Sequence, residues 1–213
     1  MVKKNRKIAI VMVGAPGSGK GTQGEVLEKN TGFKRYVTSD MIRSELKEGS
    51  ELREKVSRGI LLDDSDIFKA FRKHFKLENQ VIIDGLPRTL DQAYWLYGFL
   101  VRYGYDIELV YLKVDESKLL KRIVSRYYCP KCHRGYNTLT IKPKKAGICD
   151  DDGAKLVQRE DDTKQVFSGR LKTFDEVKKV ILKVYSEEVI KINGDQKIDK
   201  VSQDLMKSII VRE

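Results

Sequence analysis

A run of apolar residues, IAIVMV at Ile8–Val13, gives way without a polar interval to GAPGSGKGT at Gly14–Thr22. Apolar side chains at consecutive positions mark a strand buried on both faces. The glycines and lysine that follow need a turn through which the backbone passes close to something, and then a helix. A strand, a glycine turn and a helix N-terminus in that order let successive backbone N–H groups converge on phosphate oxygens, with the helix dipole adding to the attraction. Gly14, Ala15, Pro16, Gly17, Ser18, Gly19, Lys20, Gly21 and Thr22 are therefore expected to line a phosphate cradle, with Lys20 reaching the β and γ phosphates. The generic loop has Ser or Thr directly after the lysine, whereas here Gly21 intervenes before Thr22.

Further apolar runs, VIID at Val81–Asp84, IELVYLKV at Ile107–Val114 and VIKI at Val189–Ile192, alternate with amphipathic stretches, and a shorter strand is expected near Tyr36 and Val37. Helical length and period place helices over Gln23–Lys29, Asp66–Leu77, Leu90–Tyr103, Ser117–Tyr127 and Asp175–Tyr185. The pattern predicts an α/β fold in which parallel strands are covered by helices. Two stretches fall outside the repeat: Ser39 to about Ile67 is helical but polar, and Cys129 to Gln158 is rich in Gly, Lys and turn residues with no helical period.

With 42 Lys and Arg against 31 Asp and Glu, the formal charge of +11 favours anionic partners, whether phosphorylated small molecules, nucleic acid or an anionic membrane. No apolar run reaches the roughly 18 residues of a membrane span, and the apolar run after the basic start is too short for a signal peptide. A cytoplasmic protein with no membrane partner is expected. The three cysteines all fall between Cys129 and Cys149, which speaks for a local metal site over a disulfide framework. Cys129 and Cys132 form a C-x-x-C knuckle, followed after sixteen intervening residues by Cys149 and then Asp152. Three thiolates and a carboxylate complete a tetrahedron suited to Zn²⁺, and four protein ligands leave no open position, so the zinc would be structural. Asp150, Asp151 and His133 compete for the fourth place. Asp84, at the end of an apolar run, can hold the water shell of Mg²⁺ beside the cradle or cap the following turn, and Arg88 follows at the sheet edge where ligands bind.

GAPGSGKGTQ at Gly14–Gln23, TSDMIR at Thr38–Arg43, DGLPRT at Asp84–Thr89 and QREDD at Gln158–Asp162 resemble, in order and over nearly the whole chain, the adenylate kinase family. The resemblance implies a P-loop nucleoside monophosphate kinase fold. Its five-stranded parallel sheet would form a core from residues 1–38, 68–128 and 161–213, with an AMP-binding insertion at 39–67 and a zinc-binding lid at 129–160. It implies reversible, Mg²⁺-dependent phosphoryl transfer between ATP and AMP to give ADP, by a monomer that needs no nucleic acid. Thr38, Arg43, Gly85, Arg88, Gln92, Arg159 and Arg170 would bind AMP. Lys20, Arg88, Arg122, Arg126, Arg159 and Arg170 would surround the moving phosphoryl group, with Arg122 and Arg126 one helical turn apart and Arg126 also touching ATP. Gly135 and Tyr136 align with the lid position over the ATP base, although Tyr136 can instead pack inside the lid. Asp161 and Asp162 either orient arginines or cap a helix. Ser39 and Leu86 stand where the family usually has Gly and Phe. The nearest rivals are a UMP or CMP kinase, which Thr38, Gln92 and the long lid disfavour, and a nucleic-acid-binding zinc ribbon, for which the lid lacks interleaved aromatics.

Overall fold

The computed structural model describes residues 6–45, 62–159, 162–185 and 189–210. Much of the polar stretch expected between Ser39 and Ile67 (46–61), together with Glu160 and Asp161, lies outside them. In chain order the elements are β1 (Lys7–Val13), α1 (Lys20–Thr31), β2 (Lys34–Val37), α2 (Thr38–Glu45), α3 (Asp64–His74), β3 (Gln80–Asp84) and α4 (Leu90–Arg102). They continue with β4 (Tyr105–Lys113), α5 (Glu116–Val124), β5 (Arg126–Tyr128), β6 (Gly135–Asn137), α6 (Lys164–Val184), β7 (Val189–Asn193) and α7 (Ile198–Ile210).

Five strands form one parallel sheet in the order β2-β3-β1-β4-β7, which puts β1 and its glycine loop in the middle. Side chains alternate across a strand, and β1 divides accordingly. Ala9, Val11 and Val13 face α3, α4 and α6, where Phe71, Leu96, Leu100 and Ile181 are buried. Ile8, Ile10 and Met12 face α1 and α7 through Leu27, Val201 and Leu205. Covering both faces explains why these strands read as continuous apolar runs. No helix among the described residues is long and apolar enough to cross a membrane.

Three helix expectations are corrected. The segment Ser117–Tyr127 is not helical throughout: α5 stops at Val124, because Tyr127 and Tyr128 pair with Tyr136 and Gly135 in an antiparallel ladder. Arg122 and Arg126 therefore lie on different elements and do not share a helix face. Helix α6 begins at Lys164, well before Asp175. Thr163 caps it by accepting from Val166 N, and its first turns pack Phe167 and Leu171 against Leu119, Ile123 and Ala15. Helix α7 has no counterpart among the expected helices. Gln23 of α1 anchors it, donating to Ile198 O at 3.2 Å and accepting from Ser202 Oγ at 2.8 Å.

Candidate active site and lid metal centre

The glycine loop bends tightly between β1 and α1. A Cβ on Gly14 would lie 2.6 Å from Ser18 Oγ and 2.9 Å from Leu112 O, so only glycine lets the chain leave the sheet here. Helix α1 opens with no side-chain cap and no acidic residue in its first turn, leaving its first N–H groups for an anion. Ser18 Oγ is buried with no hydrogen-bond partner among the described residues, as expected of a donor that serves a ligand oxygen. Lys20 bends back over the loop and donates to Gly14 O at 2.7 Å and Ala15 O at 3.2 Å. Burial pulls its pKa from 10.5 down to about 8; Asp84 opposes that shift, while Arg88, Arg126 and Arg170 reinforce it. The lysine is thus the common neighbour of one carboxylate and three guanidinium groups supplied by four elements or their edges.

Asp84 ends β3 and is buried at 6% exposure. Burial raises its pKa; Lys20, Arg35 and Arg88 pull the other way. Arg35, which no sequence pattern had singled out, reaches Asp84 Oδ2 at 3.6 Å and Gly21 O at 3.3 Å while Glu28 holds its Nε at 3.2 Å. A carboxylate at this strand end, next to the cradle and with oxygens not tied up by backbone donors among the described residues, fits the water shell of a Mg²⁺ ion.

On the β2–β3 side, Thr38 is buried and donates from Oγ1 to Asp84 O at 3.1 Å. Gly85, at φ 93°, lets Thr38 and Arg88 close in: a Cβ there would stand 3.4 Å from both Thr38 Cβ and Arg88 Nη2. Arg88 is steadied by its own turn, Nε donating to Gly85 O at 2.9 Å. Arg43, exposed at the end of α2, is held by Ser39 Oγ at 3.0 Å and Asp40 at 3.1 Å, so Ser39 gives the guanidinium a hold that glycine would lack. Gln92 is buried, its Oε1 accepting from Arg88 N at 2.7 Å and its Nε2 donating to Asp64 Oδ1 at 2.6 Å. Asp64 was also missed, because an Asp-rich stretch before a helix reads as capping.

The expected arginines divide. The charges of Arg88, Arg126 and Arg170 all act on Lys20 and lower its pKa. Arg126, at the start of β5, makes a two-pronged ion pair with Asp162, whose side chain is fully buried. Since Thr163 caps α6, Asp162 is free of that task and orients an arginine, while Asp161 lies outside the described residues. Arg122 instead donates to Gly194 O at 2.9 Å in the loop between β7 and α7. Arg159, at the lid's end, stacks over the Tyr128 ring at 5.7 Å.

The segment expected to form the lid hangs on the β5–β6 ladder and holds a small core of Cys129, Tyr136, Cys149 and Leu156. Gly135 is exposed, but the Tyr136 ring is buried and its hydroxyl donates to Cys149 Sγ at 3.5 Å, so its side chain does not present a face to an ATP base. Ligand atoms of Cys129, Cys132, Cys149 and Asp152 all lie within 4.8 Å of one another. Cys132 and Cys149 sulfurs are 3.5 Å apart and Cys129 Sγ is 3.1 Å from Asp152 Oδ2. A tetrahedral zinc with Zn–S bonds near 2.3 Å sets its ligands roughly 3.5–3.8 Å apart, so the donor set fits the ion. Backbone N–H groups of Lys131 and Cys132 point at Cys129 Sγ, and that of Asp151 at Cys149 Sγ, as thiolates require. Asp150 accepts from Lys144 N, and Asp151 pairs with Arg134, leaving Asp152 as the fourth donor. The Ala154 amide and then Cys129 hold the Asp152 carboxyl down at about 2.

The sequence profile described as adenylate kinase matches residues 12–190. Among similar proteins, an adenylate kinase of Oceanobacillus iheyensis is 34% identical over 206 residues, covering 92% of this chain and 96% of that protein. One from Ureaplasma urealyticum is 38% identical over 208 residues, with 92% and 95% covered. One from Thermotoga maritima is 33% identical over 211 residues, with 94% and 96% covered.

Proposed function

This chain belongs to the adenylate kinase family and is therefore an enzyme, a nucleoside monophosphate kinase that converts ATP and AMP reversibly into two ADP; from that premise we propose how its own residues divide the work. The observation that carries the reading is the glycine loop opening into an uncapped α1, with buried Lys20 folded back over it and Asp84 buried at the end of the neighbouring strand. ATP lays its β and γ phosphates in the loop from Gly14 to Thr22, where Lys20 and the first N–H groups of α1 receive them. Asp84 would hold the water shell of the Mg²⁺ that accompanies ATP, and the ion would supply charge neutralisation at the phosphates. AMP lies on the Thr38 and Gly85 side, its phosphate gripped by Arg88 and Arg43 and its base edge met by Gln92.

An oxygen of the AMP phosphate then forms a bond to Pγ as the bond from Pγ to the bridging β oxygen breaks, leaving ADP on each side. Charge spreads over the equatorial oxygens of a loose transition state, and stabilising it is work for positioned cations. No base is needed, because a phosphate monoester with its second pKa near ~6 is already ionised at neutral pH. Arg159 reaches the phosphates when the lid folds over and water is excluded. Arg122 acts on the ATP-base side, through the loop at Gly194. Gly135 contributes backbone to the lid face above that base. The division into a core of 1–38, 68–128 and 161–213, an AMP-binding insertion of 39–67 and a lid of 129–160 follows from these roles. Cys129, Cys132, Cys149 and Asp152 would hold a structural zinc. Thiolate ligands keep best in a reducing compartment, which favours a cytoplasmic enzyme, and we expect a monomer.

A coupled assay with ATP·Mg²⁺ and AMP, GMP, CMP or UMP tests the assignment. Turnover with AMP should exceed the others by on the order of 100-fold, given a site that hydrogen-bonds its base edge. Comparable or faster turnover of CMP or UMP would overturn it.

A further inference from the structure

The amide of Gln92 is held by the protein at both ends. Its Oε1 accepts from Arg88 N at 2.7 Å, and its Nε2 donates to Asp64 Oδ1 at 2.6 Å. The other oxygen of Asp64 accepts from Thr89 Oγ1 at 2.7 Å, and that hydroxyl in turn accepts from Gln92 N at 3.1 Å, capping α4. Asp64 is not occupied as its own helix's cap, since the neighbouring Asp63 accepts from Ser65 N at 2.8 Å. Two adjacent aspartates therefore do different jobs: one starts α3, and the other reaches across to α4.

A side-chain amide can usually rotate by half a turn and exchange its donor and acceptor ends at little cost. Here such a flip would set the amino group against Arg88 N–H and the carbonyl oxygen against the Asp64 carboxylate. Both contacts would be repulsive, and both sites are buried or partly buried, where unpaired polar atoms are costly. One orientation is thus imposed, and in it the amide keeps one N–H and one oxygen lone pair unused by these contacts. A 6-aminopurine offers an N–H donor beside a ring-nitrogen acceptor, which complements that remaining pair. A 6-oxopurine offers the reverse, a carbonyl acceptor beside a ring N–H.

We propose that Asp64 is a specificity-determining residue: by fixing the sense of the Gln92 amide it makes the monophosphate site accept the 6-amino edge of AMP and refuse the 6-oxo edge of IMP or GMP. This rests on the reading that AMP binds here with its base edge at Gln92. Without Asp64 only the Arg88 N–H contact would oppose the turned amide, and selectivity would fall even though Gln92 remained.

IMP is the informative competitor, since it differs from AMP at that edge alone. In the Asp64→Asn variant residue 64 can offer either an oxygen or an amino group to Gln92, so only Arg88 N–H still opposes the turned amide and the reversed orientation becomes populated. The ratio of kcat/KM for AMP over IMP should fall at least about tenfold, through the loss or reversal of one or two hydrogen bonds. The change should lie in KM for the monophosphate, with KM for ATP unmoved. Gln92→Leu should lower the same ratio, and adding Asp64→Asn to it should change nothing further. A ratio that stays at the wild-type value, with AMP and IMP turnover reduced alike, would make Asp64 merely structural and overturn the proposal. So would a further fall of the ratio in the double variant. If Asp64→Asn does not fold, Asp64→Ser, which also both donates and accepts, gives the same readout. Failure of the wild type to phosphorylate AMP would sink the functional reading itself, a result distinct from an unaltered ratio in the variants.

Discussion

Lys20 is surrounded in the free chain by two carbonyls of its own loop, the Asp84 carboxylate and the guanidinium groups of Arg88, Arg126 and Arg170, and burial has brought its pKa to about 8. A bound phosphate favours the ammonium form and raises that pKa, so above about pH 8, where the free lysine is losing its proton, nucleotide binding must take a proton up. Affinity for ADP should consequently weaken as pH rises past 8. Calorimetry at about pH 8.5 in two buffers of different ionisation enthalpy should register uptake approaching one proton per chain. Lys20→Arg, charged at every accessible pH, should show none of it. Equal uptake in that variant would assign the proton to another group. The position of Lys20 was legible because its loop geometry demands a glycine-lysine pattern that few other structures require. Asp64 and Arg35 were not, because their partners Gln92 and Asp84 are 28 and 49 positions away in sequence, and no local pattern marks a side chain that works across such a separation.

At the scale of elements the lid is the clearest case of chemistry replacing packing. Its core of Cys129, Tyr136, Cys149 and Leu156 is too small to hold a fold by burial alone, since each large apolar side chain buried stabilises by only about 1.5–3 kcal/mol. The purified chain should carry close to one equivalent of zinc by mass spectrometry. Stripping it with a strong chelator, or Cys129→Ser, should lower the melting temperature by several degrees while phosphotransfer persists at low temperature. Loss of activity in step with zinc at low temperature would give the metal more than a structural part. The spacing of the three cysteines made this side-chain cluster readable in advance, and the contacts that occupy Asp150 and Asp151 then left Asp152 beside them. Strand positions were equally readable, because a strand covered on both faces must be apolar throughout. Helix ends were less so. The stop of α5 at Val124 depends on Tyr127 finding Tyr136, and the early start of α6 depends on Phe167 and Leu171 finding α5. Partners of that kind are supplied by the fold and leave no periodic trace.

Taken whole, the molecule gathers cations at one edge of its sheet while carrying a formal charge of +11. Anionic nucleotides should be drawn in from a distance, and kcat/KM for ATP should fall several-fold between about 50 and 500 mM monovalent salt, over which the screening length shrinks from roughly 14 to 4 Å. A flat salt response would mean that the lysines and arginines act only at contact range. The feet of the lid offer a different lesson. Val124 O accepts from Gln158, Tyr128 pairs with Val157, and Arg126 grips Asp162, so the chain leaves the body of the enzyme and returns to it at almost the same point. A loop whose two ends are already neighbours can be lengthened, trimmed or exchanged for another of similar span without disturbing what lies beneath. The proposed metal knot could thus change its ligands, or give way to a better-packed substitute, independently of the sheet and glycine loop beneath it.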